Sequence, residues 1–207
     1  MAEGTRTGRL IALEGIDGTG KSTQVALLAE ALRRDGFQVI ATREPTDGPC
    51  GQRIRALYQA RDSVSREQEL ALFLDDRRQH VDELIRPALG RGQVVLTDRY
   101  YLSTAAYQGG NDWSPEEIIR LNEAFAPRPD LVILLVLSPE EAVARIRQYR
   151  GEAPNHFEQE AGLRQVAGVF AGLVGNYIRR LDASQPAAAV HDQALALARQ
   201  LLGAAPK

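Results

Sequence analysis

The feature that most restricts this chain is the run Gly15-Ile16-Asp17-Gly18-Thr19-Gly20-Lys21-Ser22, set between an apolar stretch at 10–13 and helical spacing from 21 to 34. It satisfies G-x4-G-K-[ST] in the strand-before, helix-after setting that the pattern requires. Glycines let the backbone curl until its N–H groups point inward at phosphate oxygens, and the following helix adds its positive end. Lys21 is placed to reach terminal phosphates, and Ser22 to ligate Mg²⁺. Residues 15–22 with Thr23 therefore form the candidate site for the phosphates of a nucleotide.

Such a loop sits at the edge of a sheet, and the rest of the sequence supplies one. Short apolar runs at 37–41, 94–96, 132–137 and, more weakly, 187–190 alternate with helix-like stretches. Those at 94–96 and 132–137 are continuous rather than alternating, as in strands covered on both faces. Between them, Val25, Leu28, Ala29 and Leu32 share one stripe, as do Leu70, Phe73, Leu74, Val81, Leu84 and Ile85 within a helix at 67–89. The pattern predicts an α/β fold of three layers: about five parallel strands, helices on both faces, and right-handed crossovers. No linker divides the chain, so 1–207 reads as a single domain. The Gly- and Pro-rich stretch 42–55 and the polar stretch 147–157 are the candidate mobile loops.

Charge narrows the function. The chain carries 25 basic and 27 acidic side chains, a net charge of −2. That gives no global field for nucleic acid or a membrane surface. One cysteine, Cys50, excludes an internal disulfide and points to a reducing compartment, the cytoplasm. No apolar run approaches the roughly 20 residues of a membrane helix, and His80, His156 and His191 lack metal-ligand spacing.

The run at 94–96 ends in Thr97-Asp98-Arg99, which puts a carboxylate and a guanidinium at a strand C-terminus, where open α/β sheets hold ligands. Asp98 is the candidate second Mg²⁺ ligand, and Arg99 a phosphate grip. The D-x-x-G and N-K-x-D signatures of GTPases are absent. A phosphoryl-transfer enzyme with a small acceptor fits what remains.

Five blocks then resemble, in order, the thymidylate (dTMP) kinase family, a branch of the P-loop nucleoside monophosphate kinases. They are residues 13–24, Thr42-Arg43-Glu44-Pro45, Leu72-Phe73-Leu74-Asp75-Asp76-Arg77-Arg78-Gln79-His80, Asp98-Arg99-Tyr100 with Ser103-Thr104-Ala105-Ala106-Tyr107-Gln108-Gly109, and Pro129-Asp130-Leu131. The resemblance implies transfer of a phosphoryl group from ATP, with Mg²⁺, to dTMP in the supply of dTTP, by a homodimer in the cytoplasm. It implies that Phe73 stacks on thymine and Arg77 reaches the base edge, with Thr104 and Gln108 beside the ring. Tyr107 would wall the sugar, Asp17 would meet its 3′-hydroxyl, and Arg43 and Arg99 would hold the acceptor phosphate.

Thr19 stands where some members carry a catalytic arginine, so by resemblance that group comes from a lid at 145–157. There Arg145 would pack on adenine and Arg150, or Arg147, would reach the phosphates. The lid departs from the family's Asp-Arg-Phe-Glu, reading Asn155-His156-Phe157-Glu158. A related deoxynucleoside or nucleotide kinase, and an ATP-binding homologue without activity, are the other readings compatible with these residues.

Overall fold

The computed structural model describes residues 8–57, 64–110, 112–150 and 160–203, without the side chains of Tyr149 and Arg150. Five strands run β1 (Arg9–Glu14), β2 (Val39–Arg43), β3 (Val94–Asp98), β4 (Leu131–Val136) and β5 (Ile178–Asp182). All pair in parallel, in the order β2-β3-β1-β4-β5. Between β1 and β2 lies α1 (Lys21–Arg34), and between β2 and β3 lie α2 (Pro49–Leu57), α3 (Arg66–His80) and α4 (Arg86–Gly90). Then come α5 (Tyr101–Tyr107) and α6 (Pro115–Glu123) before β4, α7 (Pro139–Arg150) and α8 (Glu160–Gly172) before β5, and α9 (Ala187–Leu202). No helix among the described residues is long and apolar enough to cross a membrane.

The connection leaving β1 runs toward β2 and the one leaving β4 runs the other way, so right-handed crossovers send helices to both faces. The divergence opens a crevice at the C-terminal edge between neighbouring strands. Register brings the groups of interest there: Leu13 lies opposite Asp98, and Arg43 lies opposite Asp98 on the other side. Leu10, Ile11, Leu13, Leu96 and Ile133 are fully buried, which accounts for the unbroken apolar runs of the central strands.

Three readings of the sequence need correction. Residues 187–190 open α9 rather than forming a strand, and the fifth strand is Ile178–Asp182. It escapes a hydropathy reading because it is an edge strand whose Arg179 and Arg180 face solvent. The stretch 42–55 holds the end of β2 and, in its second half, α2, begun by Pro49, whose fixed φ suits a first helical turn. The single helix at 67–89 is interrupted by a π-helical turn, Val81–Ile85.

Candidate active site

The helix ends differ in a way that marks the site. Ser65 caps α3 and Ser114 caps α6, each in a reciprocal box with Gln68 or Glu117, and both helices carry acidic residues in the first turn. At α1 the N-cap is Gly20, no side chain caps the helix, and the first turn holds no acid. Its orphan N–H groups and positive end are left for an anion. Gly15 and Gly18 adopt φ of 136° and 82°, and a methyl added there would lie 2.4 Å from Leu135 O and 2.6 Å from Ala142 O. Only glycine allows the loop to run this close to β4 and α7.

Inside the loop, Lys21 Nζ and Thr19 Oγ1 both donate to the Ile16 carbonyl, each at 2.9 Å. Burial pulls the Lys21 ammonium down to about 8, with the Arg99 charge adding to the effect and Asp17, Asp98 and Glu14 opposing it. The Ser22 hydroxyl donates to Asp98 Oδ2. Asp98 Oδ1, by contrast, is buried with no hydrogen-bond partner.

Arg99, just past β3, has φ of 72°, a left-handed conformation that costs a non-glycine residue on the order of 1 kcal/mol. Side-chain bonds hold it there: Nη2 donates to Asp17 Oδ1 at 2.7 Å and Nη1 to Ser103 Oγ at 3.0 Å. Burial alone would raise Asp17, but Arg99, Lys21 and the Tyr107 hydroxyl, 2.9 Å from Oδ2, outweigh it and hold the carboxyl down to about 2. Beneath Arg99, Glu14 is fully buried and receives bonds from Ser103 Oγ (2.5 Å) and from the backbone N–H groups of Tyr100 and Ser103. Burial pushes its carboxyl up to about 7 against the pull of Ser103 and Arg99.

The far end is a network of side chains. Arg77, 1% exposed, donates to Glu44 Oε2 from Nε (2.9 Å) and Nη2 (2.5 Å), to Asn122 Oδ1 (2.7 Å) and to Thr104 Oγ1 (3.0 Å). His80 bridges Glu44 Oε1 (2.9 Å) and Thr42 Oγ1 (2.8 Å). Burial would raise the Glu44 carboxyl, yet Arg77 and His80 hold it below its ordinary value. Both ends open on one cavity of about 1030 Å³, lined among others by Lys21, Asp98, Arg99, Phe73 and Arg77.

The sequence matches the profile of the thymidylate kinase family over residues 13–194. The chain belongs to the thymidylate kinase family. A thymidylate kinase from Desulfotalea psychrophila is 50% identical over 195 residues, covering 94% of this chain and 96% of its own. Those of Xanthomonas oryzae pv. oryzae strain PXO99A and Xanthomonas campestris pv. campestris strain B100 are 46% and 45% identical, covering 92% and 93% of this chain and 82% and 84% of theirs.

Most residues that the thymidylate kinase resemblance singled out line that one cavity: Asp17 to Thr23, Phe73, Arg77, Asp98, Arg99, Thr104, Tyr107, Gln108 and Arg145. Gly15 and the buried Ile16 lie outside that lining, Ile16 offering only its carbonyl. Arg43 is set apart. It pairs with Asp47 at 2.8 Å and faces an adjoining recess of about 570 Å³, which shares Ser22 and Asp98 with the main cavity. Arg147 is exposed on α7, the side chain of Arg150 lies outside what is described, and so do residues 155–158.

Reading the sequence gave no role to Glu14, Glu44, His80, Ser103 and Asn122. Glu44 and Asn122 bond to Arg77 and Ser103 to Arg99, Glu44 and Ser103 also line the cavity, and Glu14 and His80 bond in turn to Ser103 and Glu44. Glu14, Glu44, His80 and Ser103 stand inside the resembling blocks, whereas Asn122 had no signal. Ser184, Gln185, Pro186 and Ala187 line the cavity beyond the phosphate loop.

Proposed function

We propose that this thymidylate kinase family member transfers the γ-phosphoryl group of ATP to the 5′-phosphate of dTMP, releasing ADP and dTDP, the precursor of dTTP. The observation that carries the reading is the single cavity with Lys21 and an uncapped helix at one end, Phe73 and Arg77 at the other, and Arg99 between them. An acceptor phosphate oxygen attacks the γ-phosphorus in line, and ADP leaves with the bridging oxygen, so no covalent enzyme intermediate is needed.

The work of the chain is positioning and charge. The backbone of 15–22 and Lys21 hold the donor phosphates. Arg99 offsets the repulsion between the acceptor phosphate and the donor, and Arg43 would join it by turning from Asp47. Asp17 and Tyr107 border the sugar, and Phe73 stacks the base, a contact worth about 1 to 3 kcal/mol. We assign the charge of the moving group to Arg150 at the end of α7, and the adenine contact to Arg145.

The residues present fit Mg²⁺: Ser22 and Asp98 meet side by side, and Asp98 Oδ1 lacks a partner. Among the described residues no cluster of three or more His, Cys, Asp or Glu could hold a metal alone, so the ion would arrive shared with phosphate. When bound, it would neutralise charge on the donor oxygens. The single Cys50 supports a cytoplasmic setting, and α3 and α6 are our candidates for homodimer contacts.

An ADP-release assay with ATP and Mg²⁺ against dTMP, dUMP, dCMP, AMP and thymidine, with products weighed by mass spectrometry, tests the reading. Phosphorylation of dTMP, weaker turnover of dUMP and inert thymidine are expected. Thymidine as the better acceptor would make this a nucleoside kinase, and silence with ATP binding retained would make it a binding protein.

A further inference from the structure

At the base end of the cavity, Gln108 is buried, 5% exposed, just past α5. Its Nε2 donates to Glu69 Oε1 at 2.9 Å, while its own Oε1 is buried with no hydrogen-bond partner. A side-chain amide has a donor end and an acceptor end of nearly equal shape, so its rotation is decided by its neighbours. The neighbour here is Glu69 on α3, 3% exposed. A carboxylate accepts hydrogen bonds and does not donate them, so the amide nitrogen turns to Glu69 and the oxygen is left over. A buried acceptor without a partner is costly until an N–H reaches it.

Arg77 supplies the opposite polarity. Of the five N–H groups of a guanidinium, Nε and one on Nη2 go to Glu44, the other on Nη2 to Thr104, and one on Nη1 to Asn122. That leaves a single N–H on Nη1. At the base end Gln108 Oε1 therefore offers an acceptor and Arg77 Nη1 a donor. A pyrimidine with a 4-oxo group and a protonated N3 presents an acceptor and a donor, matching both. A 4-amino pyrimidine presents a donor and a bare N3, and opposes both.

We propose that Glu69 is a specificity-determining residue: by fixing the rotation of the Gln108 amide it makes the base end take 4-oxo pyrimidine nucleotides and turn away 4-amino ones. Glu69 is a positioning residue and acts through Gln108. The inference rests on the base lying beside Phe73, as in the function proposed above.

Glu69→Gln and Glu69→Asp separate polarity from packing. Glutamine is the better isostere, yet it satisfies either rotation of Gln108; aspartate is shorter but still only accepts. With dTMP and dCMP as acceptors at saturating ATP, Glu69→Gln should lower the dTMP-to-dCMP ratio of kcat/KM by roughly tenfold or more. The change should come mainly through KM for the nucleotide acceptors, with KM for ATP unchanged. Glu69→Asp should keep more of the discrimination than Glu69→Gln. An unchanged ratio in Glu69→Gln, or equal losses on both acceptors, overturns the proposal, as does an aspartate variant less selective than the glutamine one. A wild-type protein inert toward dTMP in the same assay overturns instead the function on which it rests.

Discussion

At the Lys21 end of the cavity polar groups stand ready for a ligand: an uncapped helix, a lysine resting on its own loop, and an aspartate oxygen without a partner. At the Arg77 end the groups are tied mainly to one another, one guanidinium joining Glu44, Asn122 and Thr104, with Gln108 Oε1 left open. In the function proposed above, the first end is completed by a polyanion, whose charge can be matched by backbone dipoles. In the same reading the second tells one flat ring from another, and directional groups do that only when they cannot reorient. Substitutions should therefore separate the ends, activity without stability at one and both together at the other.

The largest effect should come from Lys21→Ala. Turnover should fall by about 10³-fold or more, because a charge facing the transferred phosphoryl group is lost. The melting temperature should hold, since burial works against the ammonium in the free protein. Near-normal turnover would break the assignment of that end.

Next, Arg77→Met leaves Glu44 ionised and buried without its cation. A loss of about 3 kcal/mol or more in urea unfolding is expected, together with a raised KM for dTMP. A stable variant with only a KM effect would mean that the network is not the rigid element described.

Glu14, a fully buried acid beneath the phosphate end, sharpens the comparison. Its carboxyl is raised from 4.5 to about 7 in the folded protein, chiefly by burial. The folded state thus holds that proton more tightly than the unfolded chain does. The resulting stability is fully present below pH 4.5 and is lost as pH rises through about 7. Unfolding free energies across that interval should fall by an amount on the order of 1 to 3 kcal/mol, and Glu14→Gln should flatten the decline. A slope that survives the substitution would assign it elsewhere.

The smallest effect belongs to the capped helices. Ser114→Ala should cost about 1 kcal/mol of stability and leave kinetics untouched. A kinetic effect there would mean that α6 communicates with the base end through Asn122.

How much of this was legible in the sequence follows the same division. Residues 15–22 are contiguous and their chemistry is mostly backbone, so glycines and a lysine at fixed spacing declare it. The central strands read correctly because both faces are covered, whereas β5 was hidden by two outward arginines. At the base end the partners are far apart in sequence: Arg77 meets Glu44 across 33 residues and Asn122 across 45. No local period encodes such pairs, and family resemblance supplied the ligand-facing residues but not those behind them. Helical spacing alone would have made Phe73 an ordinary core residue. Arg43 shows the remaining gap: the sequence put it in the loop after the second strand, whereas it ends β2 and pairs with Asp47.

The tight approach of Gly18 to Ala142 carries one more consequence. Ala142 sits on α7, and Arg145, less than a turn further along, lines the cavity at some remove from the loop. In the function proposed above, two contacts to the donor are thus mounted on parts that touch. The donor would then be gauged as well as held. A nucleotide whose phosphate chain is one unit longer or shorter would satisfy one contact and miss the other, so chain length would be selected by the spacing of the backbone rather than by any side chain that counts phosphates.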